Sequence, residues 1–146
     1  MKGKPVRYSY YTSLEWIGEK KGRLSCRGKP DIMVACPPEF GGHPGIWSPE
    51  DLFLSSVEVC FMTSFLYLVS KRDIVLKSYR SESEGFAELV GNVFRFSLIN
   101  VKVHVGVLSE KDKDIVEKLL KKVPSICVVS KSIKADVQVV ADVFVE

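Results

Sequence analysis

The stretch SPEDLFLSSVEVCFMTSFLYLVSKR, residues 48–72, has the pattern of one long apolar helix. Ser48 suits the N-cap position and Pro49 the first helical position. Lys71 and Arg72 favour the opposite end, where the helix dipole is negative. Because apolar residues lie on all sides between these ends, we expect the helix to be enclosed, either by a wrapped sheet or by a dimer interface.

Short β-like segments precede this helix. Residues 8–16 mix aromatic and hydroxyl side chains, and two further runs, 22–27 and 31–35, are separated by a Gly-Lys-Pro-Asp turn signal. These segments predict a small antiparallel meander. Residues 36–47 then contain three prolines and three glycines, which exclude regular structure and predict a shaped loop.

A long β-hairpin is predicted after the helix. Its strands are residues 79–89 and 93–107, joined by a Val-Gly-Asn turn. The apolar positions change parity along the second strand, and a one-residue shift would turn them to the opposite face of the sheet. We therefore expect a bulge near residues 98–100, which keeps the apolar side chains of both halves of the strand on the same face of the sheet.

A second helix and a closing strand follow. Ser109 caps a helix predicted over residues 110–123, and Pro124 is expected to end it. Residues 125–134 form a short helix or a turn, and alternating valines predict a strand over residues 137–145. The element order βββ, α, ββ, α, β indicates an α+β domain with helices packed against antiparallel sheet.

Length and composition favour one globular domain, residues 1–146. Hydrophobic residues make up 46% and charged residues 27%, and no run of basic residues suggests a nucleic-acid partner. No secretory signal follows the N-terminus, so we expect a cytoplasmic protein. Glu58 and four Ser or Thr residues interrupt the apolar stretch 52–69, so we do not expect it to span a membrane.

A polar stripe runs along the first predicted helix. Ser56, Cys60, Thr63 or Ser64, and Tyr67 recur at three- and four-residue spacing and so share one face. In one interpretation the hydroxyls bond the preceding turn and Cys60 is a small buried hydrophobe. In the other, the stripe carries a reactive thiol.

Three further cysteines accompany Cys60. Cys26, Cys36 and Cys127 are widely spaced and form no Cys-x-x-Cys pair, so structural disulfides are not expected in a reducing compartment. Cys127 follows Pro124-Ser125, where a first helical turn would favour its thiolate. From spacing alone, it is either a core residue or a redox partner.

Three motifs together resemble the osmotically inducible protein C and organic hydroperoxide resistance (OsmC/Ohr) family. They are Ser-Pro-Glu-Asp-Leu-Phe at 48–53, Cys60-Phe61, and Cys-Val-Val-Ser-Lys-Ser at 127–132. Proline-glutamate followed ten residues later by cysteine, with a late cysteine and a serine three residues on, is a specific combination. The resemblance implies an OsmC-like fold, an intertwined homodimer in which antiparallel sheets wrap central helices.

The resemblance also implies a thiol-dependent peroxidase for organic hydroperoxides. Cys60 matches the peroxidatic cysteine, Cys127 the resolving one, and Glu50 the acid that holds a catalytic arginine. Arg23 is the first candidate for that arginine and Arg27 the next. No bound cofactor is implied. The expected reductant is an external dithiol, for which a lipoyl group on a partner protein is the candidate.

Helix geometry adds an expectation about the dimer. On one straight helix Glu50 and Cys60 are separated by about 15 Å along the axis and roughly 80° around it. They are therefore too far apart to share a small site within one chain. We expect Glu50 and its arginine to reach Cys60 of the other subunit.

The sequence departs from the family pattern at several positions. Many relatives have proline after the late cysteine, where this chain has Val128, and Cys26 and Cys36 are additional thiols. A zinc site formed by these two cysteines with His43 is an alternative, although their spacings match no common finger or ribbon. His104 is expected to face solvent.

Two further expectations concern the role of Glu58 and the function of the whole protein. Glu58 lies nearly opposite Cys60 on the helix wheel, so we expect a subunit-interface or surface group there. The non-enzymatic alternative for the protein is a dimeric binding protein on the same fold, with an apolar ligand pocket and idle thiols.

Overall fold

A computed structural model describes residues 3–146 of the chain. The chain divides into two compact units, one extending to Leu52 and the other running from Phe53 to Glu146. That the whole chain forms one domain stays a prediction.

The first unit contains the predicted meander. Strands β1 (Ser13–Gly18), β2 (Lys21–Ser25) and β3 (Ile32–Ala35) pair antiparallel in the order β1-β2-β3. The predicted loop follows, with a single 3-10 turn at Pro38–Phe40. Gly41 ends this turn at φ 73°, in the left-handed region that favours glycine. The meander and the irregular loop are thus confirmed.

Helix α1 spans Pro49–Val69 and begins where the sequence predicts. The Ser48 hydroxyl accepts a hydrogen bond from the Asp51 N–H at 3.1 Å, and the Ser48 N–H donates to the Asp51 carboxylate at 2.9 Å. This reciprocal pair satisfies two backbone N–H groups at the helix start.

The sheet of the second unit is built on the long hairpin. Strands β4 (Leu76–Val90) and β5 (Val93–Val107) pair antiparallel, and Gly91 takes φ 63° in the two-residue turn between them. The register shifts where Phe86 and Ala87 face Leu98 and Phe96, so one β5 residue is left over. The expected bulge exists, slightly before the predicted position.

The closing strand β6 (Asp136–Val145) corrects one expectation. It pairs with β5 in parallel, giving a mixed sheet of order β4-β5-β6 rather than an antiparallel one. The cause is the connection: α2 (Glu110–Ile126) and α3 (Val128–Lys131) lie between β5 and β6. A helical crossover returns the chain to the same end of the sheet, so the strands it joins run in the same direction.

Helix α2 confirms its predicted start and corrects its predicted end. The Ser109 hydroxyl caps the helix by accepting from the Asp112 N–H at 3.2 Å. Pro124, however, lies inside the helix, which continues to Ile126. A proline in the last turn lacks only its own N–H, and the Cys127 N–H still bonds the Val123 carbonyl at 3.1 Å.

Helix α1 buries one stripe in the core of the second unit. The stripe consists of residues at four-residue spacing, Val57, Phe61, Phe65 and Val69. The core residues around it come from β5, α2, β6 and the residue directly before β6: Ile99, Val101, Val103, Val105, Val107, Val116, Leu119, Leu120, Val123, Val143 and Ala135. Other apolar side chains of α1 are exposed in the single chain, among them Val59 and Tyr67. The helix is therefore not enclosed by its own chain.

Helix α1 is long and apolar enough to cross a membrane by length and composition alone. Core helices of globular proteins pass the same test. Its packed stripe and the Glu58 carboxylate, which accepts hydrogen bonds from β4, favour a core helix.

Candidate active site

The structure brings Cys60 and Cys127 together. Cys60 lies in the middle of α1 and is half-buried, whereas Cys127 is 1% exposed and joins α2 to α3. The two thiols lie close enough for each to shift the pKa of the other. All four cysteines of the chain are free thiols. A residue in the middle of α1 and a residue at the α2–α3 junction, 67 positions apart in the sequence, thus lie close together.

The environment of Cys60 favours its thiolate. Burial alone raises its pKa, but hydrogen bonds from the Val129 N–H, the Cys127 thiol, the Ser64 hydroxyl and the Val128 N–H outweigh burial. The pKa of Cys60 therefore lies below its ordinary value. Thiolate is the nucleophilic form of cysteine, so these donors increase the reactive fraction.

The environment of Cys127 has the opposite effect. Burial raises the pKa of its thiol, and the neighbouring Cys60 raises it further, although the Ser130 hydroxyl and N–H act in the other direction. Cys127 therefore stays protonated where Cys60 ionises. This asymmetry distinguishes a nucleophile that solvent can reach from a buried thiol beside it.

The predicted arginine is not paired with the predicted acid in one chain. Arg23 is exposed and forms an ion pair with Glu15 at 3.4 Å, and Arg27 is also exposed. Across residues 3–146, no ion pair joins either arginine to Glu50. The Glu50 Oε2 atom is buried and has no hydrogen-bond partner. The arginine–acid arrangement stays a prediction.

The residues of the zinc alternative each have other partners. The Cys26 sulfur contacts the Tyr11 carbonyl at 3.5 Å, and the Cys36 sulfur contacts the Phe40 carbonyl at 3.6 Å. His43 lies 3.4 Å from a Glu19 carboxylate oxygen. Within the described range, no group of three or more His, Cys, Asp or Glu side chains is placed to hold a metal ion. The structure gives this alternative no ligand set.

Glu58 has a different role from the one its helix position suggests. Its two carboxylate oxygens accept hydrogen bonds from Ser81 at 2.8 Å and Ser83 at 3.0 Å, both on β4. Burial of the Tyr79 hydroxyl, and to a smaller extent the charge of Glu58, raise the pKa of Tyr79 to about 12. Glu58 thus ties α1 to the sheet of its own chain, which replaces the expectation of an interface or surface group.

His104 does not simply face solvent. Its side chain is 21% exposed and lies between Glu82 of β4 at 3.7 Å and Asp142 of β6 at 3.6 Å. The strand register explains this position, since Asp142 is directly opposite His104 across the parallel pair. The histidine therefore belongs to a charged row on the sheet and not to the thiol site.

The donors to Cys60 from the α2–α3 junction are not predicted by the sequence. Val128 and Val129 carry apolar side chains, so nothing in their residue types indicates that their N–H groups act on a thiol. Only the position of these residues, at the start of a helical turn, could have indicated the donors. A short helical turn starting directly after Cys127 leaves its first N–H groups without partners inside that turn.

A family model matches most of this chain. The family model described as "OsmC-like protein" matches residues 42–142 of this chain. A curated relative, the uncharacterized protein YmaD of Bacillus subtilis, is 22% identical over 136 residues, which make up 90% of each chain.

Solved structures support the same fold. An OsmC-like protein of unknown function from Vibrio cholerae has a TM-score of 0.85 at 14% identity, covering 93% of this chain and 100% of its own. An organic hydroperoxide resistance protein OsmC from Legionella pneumophila has a TM-score of 0.69 at 23% identity, covering 95% and 98%. At these identities the likeness establishes the fold.

Proposed function

The chain belongs to the OsmC-like protein family, and we propose that it is a thiol-dependent peroxidase that reduces organic hydroperoxides to alcohols. The observation that carries the proposal is the contact between a half-buried Cys60 of lowered pKa and a buried Cys127 of raised pKa. The Legionella neighbour, named an organic hydroperoxide resistance protein, supports an organic hydroperoxide as the substrate class.

The proposed reaction has three steps. The Cys60 thiolate attacks the distal oxygen of the hydroperoxide, the O–O bond breaks, and the alkoxide leaves and takes up a proton as the alcohol. Cys60 is then a sulfenic acid, and the Cys127 sulfur displaces its oxygen as water, forming a Cys60–Cys127 disulfide. An external dithiol reduces this disulfide by thiol–disulfide exchange and becomes oxidised itself. We propose a lipoyl group as that dithiol.

An arginine would assist the first step. A guanidinium beside Cys60 would stabilise the thiolate and donate to the leaving alkoxide, and a carboxylate would fix its direction. We assign the carboxylate to Glu50 and the guanidinium to Arg23, with Arg27 as the second candidate. The unpartnered, buried Glu50 oxygen supports this assignment, because a buried carboxylate oxygen is normally hydrogen-bonded. The proposal includes a cytoplasmic homodimer in which these residues serve the partner's Cys60.

Mass spectrometry tests the two-cysteine reaction. Reduced protein is treated with one equivalent of cumene hydroperoxide, digested without reductant, and analysed for linked peptides. We expect loss of two hydrogens and a link between the Cys60 and Cys127 peptides, together with conversion of the hydroperoxide to the alcohol. Unchanged hydroperoxide without this link would contradict the proposal and favour the non-catalytic binding protein.

Single substitutions separate the roles of the cysteines. Cys60→Ser should abolish turnover, and Cys127→Ser should leave a Cys60 sulfenic acid that dimedone captures. Cys36→Ser is the matched control, because Cys36 is also a half-buried free thiol but contacts a backbone carbonyl. Full turnover in the Cys60 variant would assign the chemistry to another residue.

A further inference from the structure

Ser64 differs from the neighbouring hydroxyl residues of α1. The hydroxyls of Ser56 and Thr63 donate to backbone carbonyls three and four residues earlier, at 2.7 and 3.0 Å. This is the usual position of a hydroxyl inside a helix. The partner of the Ser64 hydroxyl is instead the Cys60 sulfur, one turn earlier at 4.0 Å.

We propose that Ser64 is a further catalytic residue, whose hydroxyl donates a hydrogen bond to the Cys60 sulfur when that sulfur is ionised. The inference deepens the proposed function and rests on Cys60 being its nucleophile. Ser64 approaches the sulfur from α1, whereas the Val128 and Val129 N–H groups approach it from the α2–α3 junction. The sulfur thus has donors from two elements.

The distance of 4.0 Å fits this role. It is long for a hydrogen bond to a neutral thiol, but hydrogen bonds to an ionised partner are shorter and stronger, and catalytic contacts commonly tighten during reaction. Cys127 is the titratable group that faces Cys60 from the α2–α3 junction, and it stays a neutral donor.

The test compares Ser64→Ala, Ser64→Thr and the parent protein. The rate of Cys60 alkylation by iodoacetamide is measured from pH 5 to 11 by quantifying the modified peptide. We expect Ser64→Ala to slow alkylation at pH 7 by about three- to tenfold, because one donor to the thiolate is lost. The rate at high pH should be unchanged, since the thiolate is then fully formed. Ser64→Thr retains the hydroxyl and should restore the rate at pH 7.

Thr63→Ala is the matched control, because the Thr63 hydroxyl donates to the backbone carbonyls of Val59 and Cys60 and not to the Cys60 sulfur. Its loss should leave the alkylation profile unchanged. Equal melting temperatures of all variants show that the fold is retained, which is expected for alanine inside a helix. A Ser64→Ala profile that coincides with the parent would overturn the proposal. Because iodoacetamide is not a peroxide, this result is separate from whether the protein reduces hydroperoxides.

Discussion

Val128 stands directly after Cys127 and presents its backbone N–H to the Cys60 sulfur. A proline at this position would have no N–H to donate. The local backbone would accept proline: Cys127 is extended at φ −75° and ψ 103°, and Val128 is the first residue of α3. Val128→Pro therefore removes a hydrogen-bond donor with little disturbance of the fold.

We predict that Val128→Pro makes Cys60 less reactive near neutral pH. Loss of the N–H moves the pKa of Cys60 upward, so a smaller thiolate fraction is present at pH 7. Alkylation of Cys60 by iodoacetamide should slow by about three- to tenfold at pH 7 and converge with the parent at high pH. Val128→Ala, which keeps the N–H, is the control. Coinciding profiles of the proline and alanine variants would show that this donor is unimportant.

The sequence predicts the two reactive cysteines but not the groups that surround them. Cys60 and Cys127 follow from the family motifs, and their contact agrees with the matched roles. The donor N–H groups do not follow, because their positions depend on where α2 ends. Pro124 suggests an end at Val123, whereas the helix continues to Ile126 because the backbone hydrogen bonds past the proline are kept.

Individual elements were predicted well where the signals are local. The caps at Ser48 and Ser109, the meander and the two-residue turn at Gly91 each depend on a few adjacent residues. The direction of β6 depends instead on the crossover through α2 and α3, which alternating valines do not encode. The partners of Glu58 likewise required knowledge of which strand packs against α1.

Packing of α1 on β4 depends on Gly85. A β-carbon at this position would overlap the Leu54 side chain and approach the Phe96 ring to 2.9 Å. We predict that Gly85→Ala lowers the free energy of unfolding by about 1–3 kcal/mol, the usual cost of overpacking. Urea denaturation measures the change. Adding Leu54→Ala should make the Gly85→Ala substitution less costly, and a fully additive double mutant would contradict the proposed overlap.

At the scale of the whole molecule, the single chain leaves apolar surface exposed. On α1, Val59 and Tyr67 are 54% and 59% exposed. Exposed apolar residues that lie together commonly mark protein interfaces. In the proposed homodimer the partner chain would cover this face of α1, and each active site would take residues from both chains.

Subunit complementation tests that arrangement. If Glu50 serves Cys60 of the partner, a heterodimer of a Glu50→Gln chain and a Cys60→Ser chain has one site with both native residues. If Glu50 serves its own chain, neither site is complete. Refolding the two inactive variants together at equal concentration should then restore about a quarter of the parent activity, because half the dimers are mixed and each has one intact site. Peroxide consumption measures it, and each variant refolded alone is the control. A mixture as inactive as its components, with mixed dimers demonstrated by native mass spectrometry, would place Glu50 in the site of its own chain.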